Sequence, residues 1–270
     1  MGSLRFPGQK APRTLTHPTK YAIRIDSEKA RHVGWVKRNG PNRIISEKNM
    51  FSKILRPLTD LARHILSKPD ERGDLTSDLF RFKIRAKVRQ LINNGNGSLL
   101  DIGCGDGLLF ENLMTEQNSL RCIGIDTECK MLKIAKNSFE KKKQNGFSFL
   151  KADAQHLPFI DKTVDVAICI NTFYNFHAKN DVVEALEEME RVCKRDGFII
   201  FDIRNKINPF VFLRFKFVWI YDTHVTLNAY SLKELTTVLT SKGLVIKETI
   251  PIGFPITMFA PIILVKVGYQ

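Results

Sequence analysis

From residue 98 onwards, hydrophobic positions fall into short continuous runs that are separated by longer stretches with helical spacing. The apolar runs, which predict buried strands, cover residues 98–102, 120–126, 147–154, 164–170, 198–202, 244–250 and 262–267. Apolar side chains at three- and four-residue steps predict helices over residues 129–143, 181–193 and 231–242, with a short one after residue 107 and a turn at 194–197. This alternation predicts an α/β fold with a mostly parallel, doubly wound sheet of seven strands that ends in an antiparallel hairpin.

The chain before the first strand follows other patterns. Residues 1–20 contain three prolines, scattered basic residues and no periodicity, so we expect them to be disordered. Amphipathic spacing predicts a helix over 51–66, interrupted by a proline, and a second helix over 78–92. The inner side of the second helix would carry Leu79, Phe82, Ile84, Ala86, Val88, Leu91 and Ile92. The sequence therefore divides into a basic N-terminal extension, 1–75, and a domain over 76–270.

An aromatic insertion at residues 206–230 interrupts the late part of this domain. Helical spacing within 208–220 places four apolar side chains on one side, namely Phe210, Leu213, Phe217 and Ile220. Two interpretations stay open for this insertion. It is either a helix packed as a lid after the fifth strand, which we favour, or an aromatic surface that holds an apolar or lipid-linked acceptor.

Positive charge is concentrated in the first third of the chain. Residues 1–95 hold 21 Lys and Arg against 8 Asp and Glu, a net charge of +13, whereas residues 96–270 have a net charge of +1. This asymmetry indicates that a polyanion, either nucleic acid or an anionic membrane surface, lies next to residues 1–95. A solubilising arm without a partner is the alternative.

Cysteine content and apolar runs bear on location. The five cysteines are an odd number without a Cys-x-x-Cys pair, which predicts reduced thiols rather than a disulfide framework or a zinc site. The N-terminus shows no signal-peptide pattern, and the apolar run at 256–265 is too short to span a bilayer. We therefore expect a cytoplasmic protein, with a peripheral position on a membrane as the alternative. The sequence does not indicate an oligomeric state.

A glycine-rich turn follows the strand at 98–102, and residues 99–107 read Leu-Leu-Asp-Ile-Gly-Cys-Gly-Asp-Gly. Glycine tolerates positive φ and lets a ligand lie against the backbone, and doubly wound sheets bind ligands beyond the carboxyl ends of their strands. The turn does not match a dinucleotide fingerprint, because Leu108 stands where the third glycine would be. It is not a P-loop either, because no Lys-Ser/Thr pair follows the glycines.

This nonapeptide resembles motif I of the class I S-adenosylmethionine-dependent methyltransferases, and over residues 99–202 the chain is similar to their type 11 group. That group also has a Leu-Pro-Phe run after its third strand, which is found here at 157–159. The resemblance implies a Rossmann-like fold, S-adenosyl-L-methionine as the methyl donor, S-adenosyl-L-homocysteine as the product and no metal. Within motif I it assigns donor contacts to Asp101, Gly103, Cys104 and Gly105.

Further donor contacts are expected after the next two strands. Asp126 ends the second strand, where a carboxylate can accept hydrogen bonds from both ribose hydroxyls, and the resemblance gives it the same role. The resemblance assigns the adenine to Asp153 through its carboxylate and to Ala154 through its backbone N–H. Thr127 follows the acidic strand end, and Met131 is a candidate wall for the adenine, with a core methionine as the alternative.

The loop after the fourth strand, residues 171–177, reads Asn-Thr-Phe-Tyr-Asn-Phe-His and would face the transferring methyl group. We expect Asn171 to contact the donor. A hydroxyl acceptor is helped by a general base, for which His177 is the first candidate and Tyr174 the second. An exposed histidine without a catalytic role is the alternative for His177.

Three functions compete at this point. The first is O- or C-methylation of a small-molecule, lipid-linked or saccharide acceptor, which the type 11 likeness and the aromatic insertion favour. The second is methylation of RNA or another nucleic acid, which the basic residues 1–95 favour but the lack of an Asn/Asp-Pro-Pro-aromatic run at 171–174 opposes. The third, a binding module without activity, is disfavoured because Asp101, Asp126 and Asp153 are all present.

Overall fold

The computed structural model describes residues 68–69, 75–76, 79–92, 97–113, 120–216 and 227–270. A short antiparallel pair, β1 (Lys68–Pro69) with β2 (Leu75–Thr76), precedes the main sheet. The segment predicted to be disordered and the helix predicted over 51–66 lie outside the described residues. The division of the chain after residue 75 stays a prediction.

A seven-stranded sheet forms the centre of the described residues. Its strands are β3 (Gly97–Ile102), β4 (Leu120–Asp126), β5 (Phe147–Lys151), β6 (Val164–Cys169), β7 (Cys193–Arg204), β8 (Leu244–Ile252) and β9 (Ile262–Tyr269). The spatial order is β5-β4-β3-β6-β7-β9-β8, with β3 to β7 parallel and β9 antiparallel to both of its neighbours. The predicted Rossmann-like sheet with its C-terminal hairpin is confirmed. The strand order reverses between β3 and β6, where such a sheet opens a crevice for a ligand.

Helices cover both faces of this sheet. They are α1 (Leu79–Ile92), α2 (Leu108–Leu113), α3 (Cys129–Lys141), α4 (Lys179–Val192), α5 (Pro209–Lys216) and α6 (Leu232–Ser241). Buried side chains of α1, α2 and α3 form one apolar cluster with Leu99, and those of α4 and α6 form a second with Leu100. Because neighbouring residues of β3 are buried on opposite faces, this strand reads as a continuous apolar run.

Two further observations concern the cysteines and the helices of the described residues. All five cysteines are free thiols, and Cys129 is the exposed one among them. None of the helices in these ranges has the length and hydrophobicity needed to cross a bilayer.

The passage from α4 into β7 differs from the prediction of a turn at 194–197. Cys193 pairs with Val164 at the start of β6, and Lys194 forms an ion pair with Asp165, Nζ to Oδ1 2.7 Å. Gly197 then passes so close to β6 that a Cβ there would stand 2.4 Å from the carbonyl oxygen of Asp165. The structure assigns residues 194–197 to β7 and not to a separate turn, so the predicted turn is wrong, but the pairing with β6 is irregular there and passes from Val164–Cys193 directly to Val166–Phe198.

The inner side of α1 also differs from the prediction. Phe82 is 47% exposed, whereas Ile84, Val88 and Ile92 are buried. These three side chains follow one another at four-residue steps and so share a face, from which Phe82 is displaced by half a turn. The placement of Phe82 on the inner side is therefore wrong.

Helix α5 turns a different side inward from the one that its apolar spacing predicts. Val211 is buried, whereas Phe210 is 77% exposed and Leu213 is 50% exposed. Phe217 and Ile220 lie outside the described residues. The prediction that Phe210 and Leu213 pack inward as part of a lid is therefore wrong, because Val211 makes the contact with the domain.

Candidate functional site

The turn after β3 folds back onto the end of β4. The backbone N–H groups of Gly103 and Cys104 both donate to the carbonyl oxygen of Ile125, at 2.8 and 2.9 Å, and the Gly107 N–H donates to that of Cys104 at 3.0 Å. Gly103 has a φ of 74°, and a Cβ at this position would stand 2.3 Å from Oγ1 of Thr172. Conformation and space therefore both require glycine at position 103.

The side chain of Asp126 links this turn to the start of α3. Its Oδ2 accepts a hydrogen bond from the backbone N–H of Gly105 at 2.9 Å, and its Oδ1 accepts one from the backbone N–H of Glu128 at 2.8 Å. Each carboxylate oxygen keeps a further lone pair. A Cβ at Gly105 would meet no atom of the described residues within 4 Å, so the turn presents bare backbone beside this carboxylate.

Asp101 lies buried at the end of β3, with 2% of its surface exposed. Its Oδ1 has no hydrogen-bond partner within the described part of the chain. Burial, and to a smaller extent the carboxylate of Asp126, raise the pKa of this carboxyl to about 7, against the opposing effect of the guanidinium of Arg85 on α1. Because a buried polar atom is destabilising without a partner, this oxygen suits a ligand group that donates hydrogen bonds.

The thiol of Cys104 stands in the same environment. Burial raises the pKa of this thiol well above its usual range, and the carboxylates of Asp101 and Asp126 raise it further. Since the thiolate is the reactive form of cysteine, Cys104 is not a nucleophile here. Its contribution to the site is its backbone N–H in the turn.

A buried polar network joins the loop after β6 to the end of β7. Asp202 and Arg204 are 2% and 8% exposed and form an ion pair. Asp202 also accepts a hydrogen bond from the backbone N–H of Asn171, whose Oδ1 accepts one from Nη2 of Arg204 at 2.8 Å. Burial raises the pKa of Asp202, whereas Arg204 and the backbone N–H of Asn171 act to lower it. The network holds Asn171 at a φ of 56°, a conformation uncommon for residues other than glycine.

Tyr174 lies against this network. The guanidinium of Arg204 stacks over its ring, 4.5 Å from the ring centre, and Arg81 of α1 donates to its hydroxyl oxygen at 3.0 Å. Its carbonyl oxygen accepts a hydrogen bond from the backbone N–H of Asn228 at 2.8 Å. Two guanidinium groups therefore surround the phenol. Helix α1 thus contributes Arg81 to the loop after β6 and Arg85 to the surroundings of motif I.

His177 has different surroundings from Tyr174. It is exposed and follows the short 3₁₀ helix Phe173–Asn175. Its backbone N–H donates to Oδ2 of Asp181 at 3.1 Å, at the beginning of α4. The structure thus groups Asn171 and Tyr174 with Arg204, and places His177 at the start of the helix.

The remaining predicted donor residues follow the ends of β4 and β5. Thr127 is exposed directly after β4, and Met131 is half-buried in the first turn of α3. After β5, Asp153 is exposed and its Oδ1 accepts a hydrogen bond from the Gln155 N–H at 3.0 Å, while Ala154 is buried. Since β4 and β5 are parallel neighbours, these residues share the sheet edge where the motif I turn lies.

Sequence reasoning missed the ion pair at the end of β7 and the two arginines of α1. The positions of Asp202 and Arg204 could have indicated a functional site, because charged residues at the carboxyl end of an apolar strand are typical of a site in this class of sheet. The position of Arg85 could also have indicated one, because this residue stands next to Ile84 on the buried face of a helix. Nothing in the sequence around Arg81 indicates its hydrogen bond to the loop after β6.

Comparison with known proteins identifies this arrangement. Residues 100–201 match the family model described as a methyltransferase domain. The match runs from β3 to β7 and so includes the motif I turn, Asp126 and the loop after β6. The chain carries a class I methyltransferase domain. The predicted family and its cofactor, S-adenosylmethionine, are confirmed for this domain.

Curated relatives of the methyltransferase domain include two enzymes named for quinone methylation. The demethylmenaquinone methyltransferase of Thermotoga maritima is 32% identical over 144 residues, which cover 52% of this chain and 59% of that protein. The ubiquinone/menaquinone biosynthesis C-methyltransferase of Campylobacter jejuni is 31% identical over 157 residues, which cover 56% of this chain and 60% of that protein. The chain thus spans less than two thirds of the length of either relative.

Solved structures of methyltransferases share the fold. The magnesium protoporphyrin IX methyltransferase of Synechocystis PCC 6803, solved with bound S-adenosylhomocysteine, has a TM-score of 0.59 at 16% identity, covering 83% of this chain and 100% of that one. An S-adenosylmethionine-dependent methyltransferase of Aquifex aeolicus has a TM-score of 0.53 at 20% identity, covering 71% of this chain and 92% of that one. At sequence identities this low, the similarity to these structures shows that the fold is shared and nothing further.

The residues of the methyltransferase domain fit its cofactor. S-adenosylmethionine is a cation that carries an ammonium group, a sulfonium and two ribose hydroxyls. The carboxylates of Asp101 and Asp126 stand beside bare glycine backbone, and Oδ1 of Asp101 has no protein partner within the described ranges. Two neighbouring carboxylates match this cation and would repel the phosphates of a dinucleotide.

Proposed function

We propose that this protein transfers a methyl group from S-adenosylmethionine to a small-molecule, lipid-linked or saccharide acceptor by O- or C-methylation. The observation that supports this most strongly is the buried carboxylate of Asp101, whose Oδ1 has no hydrogen-bond partner in the described residues. On this proposal Asp101 holds the ammonium group of the donor, and Asp126 accepts hydrogen bonds from its ribose hydroxyls. Asp153 and Ala154 bind the adenine, and the glycine turn lies against the methionine part.

The donor supplies an already activated methyl group, so the protein mainly has to align the acceptor with it and exclude water. The close approach of Gly103 and Thr172 brings the loop after β6 against motif I, which supports an acceptor position beside residues 171–177. Arg81 and Arg204 hold Tyr174 at this position. Tyr174 or His177 would take the proton of a hydroxyl acceptor, and the two guanidinium groups would stabilise an acceptor that reacts as an anion.

The names of the two curated relatives suggest which acceptor to test first. One enzyme is named a demethylmenaquinone methyltransferase, and the other is named a C-methyltransferase of ubiquinone/menaquinone biosynthesis. An aromatic ring on an apolar tail also agrees with the exposed aromatic side chains of α5. C-methylation of such a ring is therefore the first reaction to measure, followed by O-methylation of phenols and sugars.

Nucleic acid remains the second candidate acceptor, because residues 1–95 carry a net charge of +13. Both candidates can be tested in one experiment with the full chain and tritium-labelled methyl donor. Label that enters the organic phase with a demethylated quinone supports the first, and label in acid-precipitable RNA or DNA supports the second. Asp101→Asn should lower either signal, and equal labelling by the variant would contradict the donor site proposed above.

A further inference from the structure

Large exposed hydrophobic side chains are concentrated in two segments of the described chain. Eight of the twelve lie in residues 205–216 and 253–261, and each of the eight is between 45% and 77% exposed. We call this set the apolar patch, and its members are Ile207, Phe210, Phe212, Leu213, Phe254, Ile256, Met258 and Phe259. Single exposed apolar residues are ordinary, whereas a contiguous group of this kind marks an interaction surface.

Two buried asparagines fasten the segments of the apolar patch to each other. The side-chain amide of Asn205 donates to the carbonyl oxygens of Met258 and Ala260, both at 2.9 Å, and that of Asn208 donates to the carbonyl oxygen of Phe259 at 2.5 Å. Asn205 and Asn208 are 1% and 5% exposed. Because these bonds join the start of α5 to the loop between β8 and β9, the patch is one surface.

The apolar patch lies at the edge of the sheet that carries the site. Arg204 at the end of β7 pairs with Ile262 at the start of β9, which also pairs with Ile252 at the end of β8. The loop 253–261 therefore leaves the sheet at the carboxyl end of β7. Since β7 is parallel to β6 and β3, this is the edge where the motif I turn and residues 171–177 lie.

The charges around the apolar patch suit an anionic surface. Residues 205–216 contain three basic residues, Lys206, Arg214 and Lys216, and neither segment contains an Asp or Glu. Lys216 reaches to 5.7 Å from the ring centre of Phe212, and Lys206 pairs with Glu234 of α6 at 3.4 Å. Phenylalanine, leucine and isoleucine side chains next to lysine and arginine form the composition of surfaces that lie in the interface of an anionic bilayer.

We propose that the apolar patch docks this protein onto anionic lipid bilayers, with the carboxyl edge of the sheet towards the membrane. Phenylalanines of α5 and of the loop 253–261 insert among the acyl chains, and Arg214 and Lys216 contact lipid phosphates. The site edge then faces the lipid phase. Docking needs neither donor nor acceptor, so it does not rest on the proposed function.

Cosedimentation of the full chain with vesicles tests this inference. We expect binding to vesicles of phosphatidylcholine with phosphatidylglycerol and weaker binding to phosphatidylcholine alone. Phe210→Ser should lower the partition coefficient about tenfold, and Phe210→Ser with Met258→Ser should lower it by a further factor of about ten. Phe82→Ser and Ile160→Ser remove equally exposed side chains outside the patch, and both should stay within about twofold of the wild type.

The net positive charge of residues 1–95 would also attract anionic vesicles, and salt separates the two contributions. High salt screens that attraction, whereas the loss caused by the patch variants should persist because it is apolar. Partition that is unchanged in both patch variants would overturn the inference. A second result would also overturn it. Sedimentation velocity would show that the wild type self-associates and that the patch variants are monomeric, while the variants bind vesicles as well as the wild type does. Since all four substituted positions are exposed, circular dichroism should show the same folded protein throughout.

Discussion

Binding of S-adenosylhomocysteine should release one proton from Asp101. In the ligand-free protein, burial and the carboxylate of Asp126 raise the pKa of this carboxyl to about 7, despite Arg85. The ammonium group of the ligand favours the ionised carboxylate and lowers its pKa. At acid pH the protein must therefore lose a proton in order to bind. The dissociation constant should fall about tenfold per pH unit between about pH 5 and 7 and become constant above that range.

Calorimetry in buffers of different ionisation enthalpy measures this proton release directly. We expect close to one proton per ligand at the acid end and none at about pH 8. Asp101→Asn should abolish the release and weaken binding at about pH 8 by roughly 1.5–3 kcal/mol, because a charged acceptor is lost. Asp196→Asn, at an exposed position of β7, is the matched control and should behave as the wild type. A dissociation constant independent of pH, or full affinity in Asp101→Asn, would refute the assignment.

The same carboxyl should make the ligand-free protein less stable as the pH rises. The folded state keeps this proton up to about pH 7, whereas an unfolded chain loses it near pH 4, so the folded state binds more protons between these values. The free energy of unfolding should therefore fall between about pH 4 and 7, by on the order of 4 kcal/mol in total. Urea unfolding at a series of pH values should show this slope in the wild type and a smaller one in Asp101→Asn. Equal slopes would contradict the buried, protonated carboxyl.

Three further predictions concern the donor contacts, the loop after β6 and the basic region. Asp126→Ala should weaken S-adenosylhomocysteine binding by roughly 1.5–3 kcal/mol in calorimetry, and Asp153→Ala by less, because Ala154 keeps its backbone contact. With a hydroxyl acceptor, His177→Ala should lower kcat by about 10²–10⁴-fold at unchanged donor affinity, and if it does not, Tyr174→Phe is the variant to assay. Removal of residues 1–48 should leave donor affinity intact and lower retention on RNA and on anionic vesicles, and equal retention would assign these residues a solubilising role.

The arrangement of the proposed donor half could be predicted because its parts are local in the sequence. Gly103 and Gly105 directly follow an apolar strand, and Asp126 ends the next one, so strand periodicity alone puts them at one edge of the sheet. The glycine spacing then separates this turn from a dinucleotide site and a P-loop. What the sequence does not reveal is the state of Asp101, because its raised pKa depends on its burial in the folded domain and on the nearby carboxylate of Asp126, which Arg85 only partly offsets.

The proposed acceptor half could not be predicted in the same way, since its contacts join distant parts of the chain. The bond between Arg204 and Asn171 requires that β6 and β7 be neighbours, and the bond between Arg81 and Tyr174 requires that α1 cross the same edge. Helical spacing also failed for α5, where Val211 rather than Phe210 is buried. A helix with apolar residues on every side has no preferred face, and its contacts with the rest of the domain decide which side turns inward.

The two halves of the proposed site differ in their charged groups, and the proposed reaction accounts for the difference. Acidic side chains, including Asp101 and Asp126, lie beside the motif I turn together with Arg85, whereas Arg81 and Arg204 surround Tyr174 at the loop after β6, with Asp202 as the ion-pair partner of Arg204. When a methyl group passes from a sulfonium to an oxyanion or carbanion, both reactants lose their charge. Carboxylates at one end and guanidinium groups at the other would favour binding of the two charged reactants and bring them together, which is a contribution to positioning and not to the chemical step itself. This polarity favours an acceptor that binds as an anion, such as a phenolate or an enolate, over a neutral amine.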